Sequence, residues 1–371
     1  MPDKTILTIG TKKGLFVAES TKSRRGFKLR GPFGEGVGVY SSLIDTRGST
    51  PRIFASSCSS FFGMKVLRSN DLGNNFRETK SAPAFPKKDG RVLNNIWALE
   101  PGKNRNELLC GAEPAALFRS RDGGNSWEMV PGISNHRHSK DWQPGFGGLC
   151  MHTILREGRR VHLGISTGGH YLSEDGGETF RAANDGIGAG FTPNPFPEFG
   201  QCVHKIVGHK DVPGRLYMQN HGGWSEWDGP GGPRPDIGVL RSDDHGHSWY
   251  SIAKGLPSDF GFPIVVHPQN PEVVYVVPLE PTTRTCPGGR PAVWRSENGG
   301  RTWKRLTHGF PRRDTYHTVL RDAMDVDEHQ SPALYYGTTT GQLWMGRDGG
   351  EKWECVFDSL PPIHCVKAAV V

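Results

Sequence analysis

A short phrase recurs six times along the 371 residues, and its spacing limits the fold more than any other feature. It reads Ser69-Asn-Asp71-Leu-Gly73-Asn-Asn-Phe76, Ser120-Arg-Asp122-Gly-Gly124-Asn-Ser-Trp127 and Ser173-Glu-Asp175-Gly-Gly177-Glu-Thr-Phe180. It returns as Ser242-Asp-Asp244-His-Gly246-His-Ser-Trp249, Ser296-Glu-Asn298-Gly-Gly300-Arg-Thr-Trp303 and, with its serine lost, Gly346-Arg-Asp348-Gly-Gly350-Glu-Lys-Trp353. Successive copies lie 51, 53, 69, 54 and 50 residues apart. A period near fifty indicates repeated supersecondary units, each of which must bury its faces against its neighbours.

Each phrase reads as a hairpin turn. The Asp supplies a side-chain acceptor, the glycines supply positive φ, and the aromatic opens the returning strand. The residues before the turn alternate as strands do, as in Ala116-Leu-Phe-Arg-Ser120 and Gly238-Val-Leu-Arg-Ser242. These turns resemble the Asp box of sialidase-like and sortilin-like β-propellers, over almost the whole chain. With the four strands of a unit named A to D, strand A is expected near Val39–Ile44, Asn95–Leu99, His152–Leu155, Val203–Val207, Pro263–Val266 and Tyr316–Leu320.

The ends supply a seventh unit. Ile6 to Ser20 matches strands B and C with no strand A before them, and Ile363 to Val371 is a strand A with nothing after it. Pairing the two closes the ring and removes exposed sheet edges. The expectation is an all-β, seven-bladed propeller in one domain over 1–371. Blade 1 is 363–371 plus 1–33, and blades 2 to 7 are 37–85, 91–132, 149–184, 201–257, 260–310 and 314–360.

Composition narrows the partners. No secretion signal and no apolar run of membrane-spanning length is apparent, and seven cysteines are scattered over several blades. Reduced thiols in the cytoplasm are the expectation, with no membrane partner. The net charge of +7 comes from dispersed Lys and Arg, with no basic run and no aromatic-basic motif, so no nucleic-acid partner is expected.

Propeller topology places the box turns on one face, and the D–A and B–C loops on the other. Those loops are long and rich in Trp, Phe, Pro and His, which suits a small-molecule or glycan-like substrate. Polar residues at A-strand starts and B-strand ends must converge at the channel mouth. Catalytic candidates are His204, His152, Glu113, Glu280, Lys205 and Arg321, with imidazole as base, carboxylate as acid, and Lys205 or Arg321 clamping an anion. Arg321 pairing with Asp322 is the structural alternative. Substrate-binding candidates are Asn95, Trp142, Gln219, Asn220 and Trp224. His152, His204, His221, His317 and His364, with Glu113 or Glu280, could hold a divalent metal, zinc or manganese. Cys150-Met-His152 and Cys202-Val-His204 place thiol and imidazole on one side of a strand. The alternative leaves the site metal-free, or makes these histidines purely structural.

The boxes look like those of sialidases, but that family's active site does not carry over. Its Arg-Ile-Pro is matched only by Arg52-Ile-Phe54, with Pro51 before it, and its propellers have six blades. The chain more closely resembles bacterial, non-secreted, sialidase-like seven-bladed propellers. The matching segments include Trp142-Gln-Pro-Gly-Phe-Gly-Gly-Leu-Cys-Met-His152, Pro197-Glu-Phe-Gly-Gln-Cys-Val-His-Lys205 and Val319-Leu-Arg-Asp-Ala-Met324. Two functions stay open: a hydrolase or lyase acting at the channel mouth, and a non-catalytic propeller gripping a protein or peptide through its aromatic loops.

Overall fold

Seven four-stranded antiparallel sheets form the ring in the computed structural model, which describes residues 3–222 and 237–371. The innermost strands are Ile363–Val370, Ser42–Asp45, Asn95–Pro101, Met151–Glu157, Val203–Gly208, Gly261–His267 and Met324–Val326, for blades 1 to 7 in turn. In every sheet the strands follow sequence order outward from that inner strand. Blade 1 is the exception that closes the ring, since its inner strand comes from the C-terminus and pairs with Lys4–Thr11.

The strands next to the inner ones are buried on both faces. Thr5 to Thr11 and Arg52 to Cys58 carry no exposed residue, because each blade packs between two others. The join between blades 7 and 1 is also polar. Arg24 donates to both oxygens of Asp327 at 2.9 and 2.8 Å, Tyr335 donates to the same carboxylate, and His329 meets Thr5 at 2.8 Å.

The repeated turns share one hydrogen-bond pattern. Ser173 Oγ accepts from Gly177 N–H at 2.8 Å and donates to Asp175, whose carboxylate accepts from Thr179 N–H and Oγ1. Those bonds, led by the Thr179 hydroxyl, hold the Asp175 carboxyl below its usual range. In the last copy Gly346 replaces the serine because a Cβ there would lie 2.7 Å from the Trp353 ring. Ser331 of an adjoining loop bonds Asp348 instead.

A second repeated device was not read from the sequence. The arginine just before a box serine reaches into the next blade's box. Arg119 bonds Glu178 and the Gly176 carbonyl, Arg241 the Gly299 carbonyl, and Arg295 the Gly349 carbonyl and Glu351. The box turns are therefore joints between blades.

One strand expectation needs correction. Tyr316–Leu320 is loop, and the inner strand of blade 7 begins at Met324. The backbone around His317 is bonded elsewhere: its carbonyl accepts from Cys286 N–H, and the Thr318 carbonyl accepts from Thr339 N–H. His317 and Arg321 thus precede the strand instead of lying along it.

Candidate active site at the channel mouth

Four inner strands begin with an irregularity. The register of strand A slips at Trp97 in blade 3, at His152 in blade 4, at His204 in blade 5, and across Phe262 and Pro263 in blade 6. A bulge leaves one residue unpaired and re-aims its side chain. Here the re-aimed groups are two imidazoles and two aromatic rings, in adjacent blades.

Two of them, His204 and Phe262, line a cavity of about 520 Å³ on the face of the D–A and B–C loops. Its lining includes Cys202, His204, His221, Arg284 and Arg321, with Phe146, Phe191 and Phe262 as apolar walls. Cys202 and His204 come from the start of blade 5, and His221 from its B–C loop. Arg284 comes from the B–C loop of blade 6, and Arg321 from the segment entering blade 7.

The donor atoms of Cys202, His204 and His221 lie within 4.8 Å of one another. His204 Nδ1 is 2.6 Å from the Gly261 carbonyl oxygen, which requires a proton on Nδ1 and leaves the Nε2 lone pair available. Burial holds His204 well below the ordinary imidazole range, with Arg321 and His221 adding to the effect. Burial likewise lowers His221 to about 4, with Arg284 and Arg321 next in weight. Both imidazoles are neutral at pH 7, competent as bases or ligands and unable to act as resident cations.

Arg321 carries the positive charge. Its guanidinium lies 5.8 Å from the Trp97 ring centroid and 5.1 Å from that of Phe262. Its Nε has no hydrogen-bond partner. Asp322, the neighbouring acid, turns away and pairs with Lys205, and Lys367 sits 3.6 Å from both Asp322 and Glu100. Lys205 is therefore committed to an ion network inside the channel. Arg321 faces the cavity without an acidic partner among the described residues.

The other sequence candidates are placed as follows. His152 is 1% exposed and lies behind the cavity wall, with Nε2 2.7 Å from the hydroxyl of Ser166, itself a lining residue. Glu113 accepts from Trp97 Nε1 at 2.9 Å and packs against Gly148, where a Cβ would meet its carboxylate at 2.3 Å. It stands beside the cavity without lining it. Glu280 is exposed and also lies outside the lining.

His317 bonds the Tyr336 hydroxyl at 2.7 Å within the core of blade 7, and His364 stacks on Tyr40 at 4.2 Å. Neither reaches the donor group. The Asn95 side chain accepts from Ile96 N–H. Gln219 and Asn220 donate to carbonyls of Asp259, Gly238, Gly188 and Ile237, which fastens the loops. Trp142 is 6% exposed, with its Nε1–H donating to the Tyr171 hydroxyl. Trp224 lies outside the described residues. The residues missed by the sequence reading are Arg284, Phe191 and Cys202 as a donor. For Cys202 the signal was present in Cys-x-His.

Among the described residues no helix is long and apolar enough to cross a membrane. No protein-family model matches the chain. A curated xyloglucanase from a Paenibacillus species is 26% identical over 300 residues, covering 74% of this chain. The chain spans about a quarter of that relative's length, 26%. Among solved structures, the Xanthomonas campestris GH74 xyloglucanase superposes with a TM-score of 0.58 at 18% identity, over 98% of this chain and 52% of the other. The Niastella koreensis GH74 enzyme gives 0.53 at 16% identity, over 98% and 68%. These superpositions establish a shared propeller fold.

Proposed function

We propose that the cavity is the active site of a hydrolase or lyase acting on a small polar, glycan-like substrate. The observation that carries this reading is the convergence of Cys202, His204, His221 and Arg321, from two blades, on one apolar-walled cavity. Buried ionisable groups are costly to gather without a use. The xyloglucanase relative, though only partly spanned, supports a carbohydrate substrate.

Cys202, His204 and His221 fit a divalent metal. One thiolate and two imidazoles suit zinc better than manganese, and the Gly261 carbonyl orients His204 as outer-shell partners orient metal-binding histidines. A metal there supplies Lewis-acid polarisation of the substrate. The chain contributes the rest: Arg321 fixes the substrate's orientation, Phe191 and Phe262 wall the cavity, and Glu113 stands in reserve beside Trp97 as an acid. All seven cysteines are unpaired, which supports a reducing compartment such as the cytoplasm.

A screen of oligosaccharides with protein purified without an affinity tag tests this reading. Replacing His204 by Ala should lower turnover at least ~100-fold, the range spanned by loss of an acid–base or outer-shell metal contribution. Undiminished turnover in that variant would reject the site. The second reading, a non-catalytic grip on a protein or peptide, is favoured by exposed Phe61 and Phe62, at 86% and 68%, and Phe146 at 96%. It predicts no turnover of any sugar and tolerance of the His204 change.

A further inference from the structure

We infer that the substrate of this cavity carries a carboxylate, held by Arg321 with Arg284 beside it, so that within the glycan reading the substrate class is acidic, uronate-type sugars. The inference rests on that reading only for the sugar, and the anion requirement follows from the cavity itself.

A guanidinium placed deep in a protein costs free energy unless an anion meets it. Elsewhere in this molecule that rule is obeyed. Arg24 meets Asp327, Arg52 meets Asp45, Arg119 meets Glu178, and Arg295 meets Glu351. Arg321 departs from it, although Asp322 is adjacent in sequence and is spent on Lys205. Arg284 lines the same cavity and makes no ion pair among the described residues. Among the described residues no Asp or Glu lines the cavity. Two positive forks therefore face a space in which no described carboxylate answers them.

The rings around Arg321 sharpen the assignment. Trp97 and Phe262 flank its guanidinium, and Phe262 also packs 4.9 Å from His204. The two rings hold the guanidinium in place beside the cavity that Arg321 lines. A planar fork presented edge-on matches a planar carboxylate through two parallel hydrogen bonds. Among the described residues no lysine lines the cavity, so the two guanidiniums are its side-chain cations.

Titration calorimetry on the full chain tests this with three ligands: a uronic-acid trisaccharide, its neutral counterpart of the same linkage, and the corresponding sugar 6-phosphate. The uronic acid should bind at least ~10-fold more tightly than the neutral sugar, the scale of a charge-assisted bidentate contact. Arg321→Gln and Arg284→Gln should each erase most of that margin. Arg321→Gln should change the melting temperature little, because the desolvation cost of an unpaired charge is removed together with its two ring contacts. A drop would indicate a structural arginine and count against the clamp. Equal binding of acidic and neutral sugars would overturn the inference while leaving the glycan reading in place, and preference for the sugar phosphate would overturn the carboxylate. Arg321-dependent binding of small carboxylic acids, with no sugar bound, would keep the clamp and reject the glycan reading.

Discussion

Removing residues 363–371 should lower the melting temperature by ~10 °C or more, or prevent folding, an effect far beyond that of an ordinary tail deletion. The lost strand pairs in antiparallel register with Lys4–Thr11. Ile363, Cys365 and Val366 are completely buried, and their removal uncovers Ile6, Leu7 and Ile9 opposite. Each large apolar side chain contributes roughly 1.5–3 kcal/mol, so the loss passes about 5 kcal/mol before any edge effect is counted. Lys367 goes as well, which strips Glu100 and Asp322 of a partner inside the channel. The uncovered strand edge then becomes a site for pairing between molecules, so aggregation should accompany the lower transition. A truncated protein that melts where the full chain does would refute ring closure as the source of stability.

Acid should unfold this protein well above the pH at which carboxylates titrate. His152, His162, His170 and His317, outside the proposed metal donors, are nearly inaccessible. Burial is the first cause of each shift, placing His170 and His317 at about 4, and His152 and His162 well below the ordinary value of 6.5. His162 and His170 also stack on each other 5.3 Å apart, so charging one opposes charging the other. Below pH 6.5 the unfolded chain takes up protons that the folded chain refuses, and stability falls until the folded values near 4 are reached. At pH 5 the loss is about 2 kcal/mol for each of His170 and His317, a sizeable part of the stability of an ordinary domain, and His152 and His162 add to it in the same direction. Burial raises the carboxyls of Glu100 and Asp325, which act in the opposite sense, but these are two groups working nearer the carboxylate range. Thermal melts from pH 7.5 to 4.5 should show a steep fall beginning near 6.5. A flat profile down to pH 5 would mean that these histidines are not buried as described.

The fold was legible because its signal is periodic. Six copies of one turn, an opening segment without a strand A and a closing segment that is only a strand A left a single arrangement. The site was legible in part, because its positions depend on backbone irregularities that no residue type announces. The bulges at His152 and His204 are one example, since a regular strand would aim those side chains differently. Asp322 is another. Adjacent to Arg321 in sequence, it was a natural partner for it, and only the ring brings Lys205 and Lys367 close enough to claim it. Gln219 and Asn220 stood where a substrate contact could be, yet carbonyls from neighbouring loops occupy their amides. His317 was expected at a strand start, while the bond from Cys286 N–H to its carbonyl and its ring contact with the Tyr336 hydroxyl hold it in a loop.

The central claim is that a thiol and two imidazoles, gathered by one blade at a common cavity, form a working centre. Zinc titrated into chelator-treated, tag-free protein tests this most directly. One saturable site per chain is predicted, lost when His204 or Cys202 is replaced by Ala and kept when His364 is replaced by Ala. Absence of a saturable site, or its survival in both the His204 and Cys202 variants, would contradict the account.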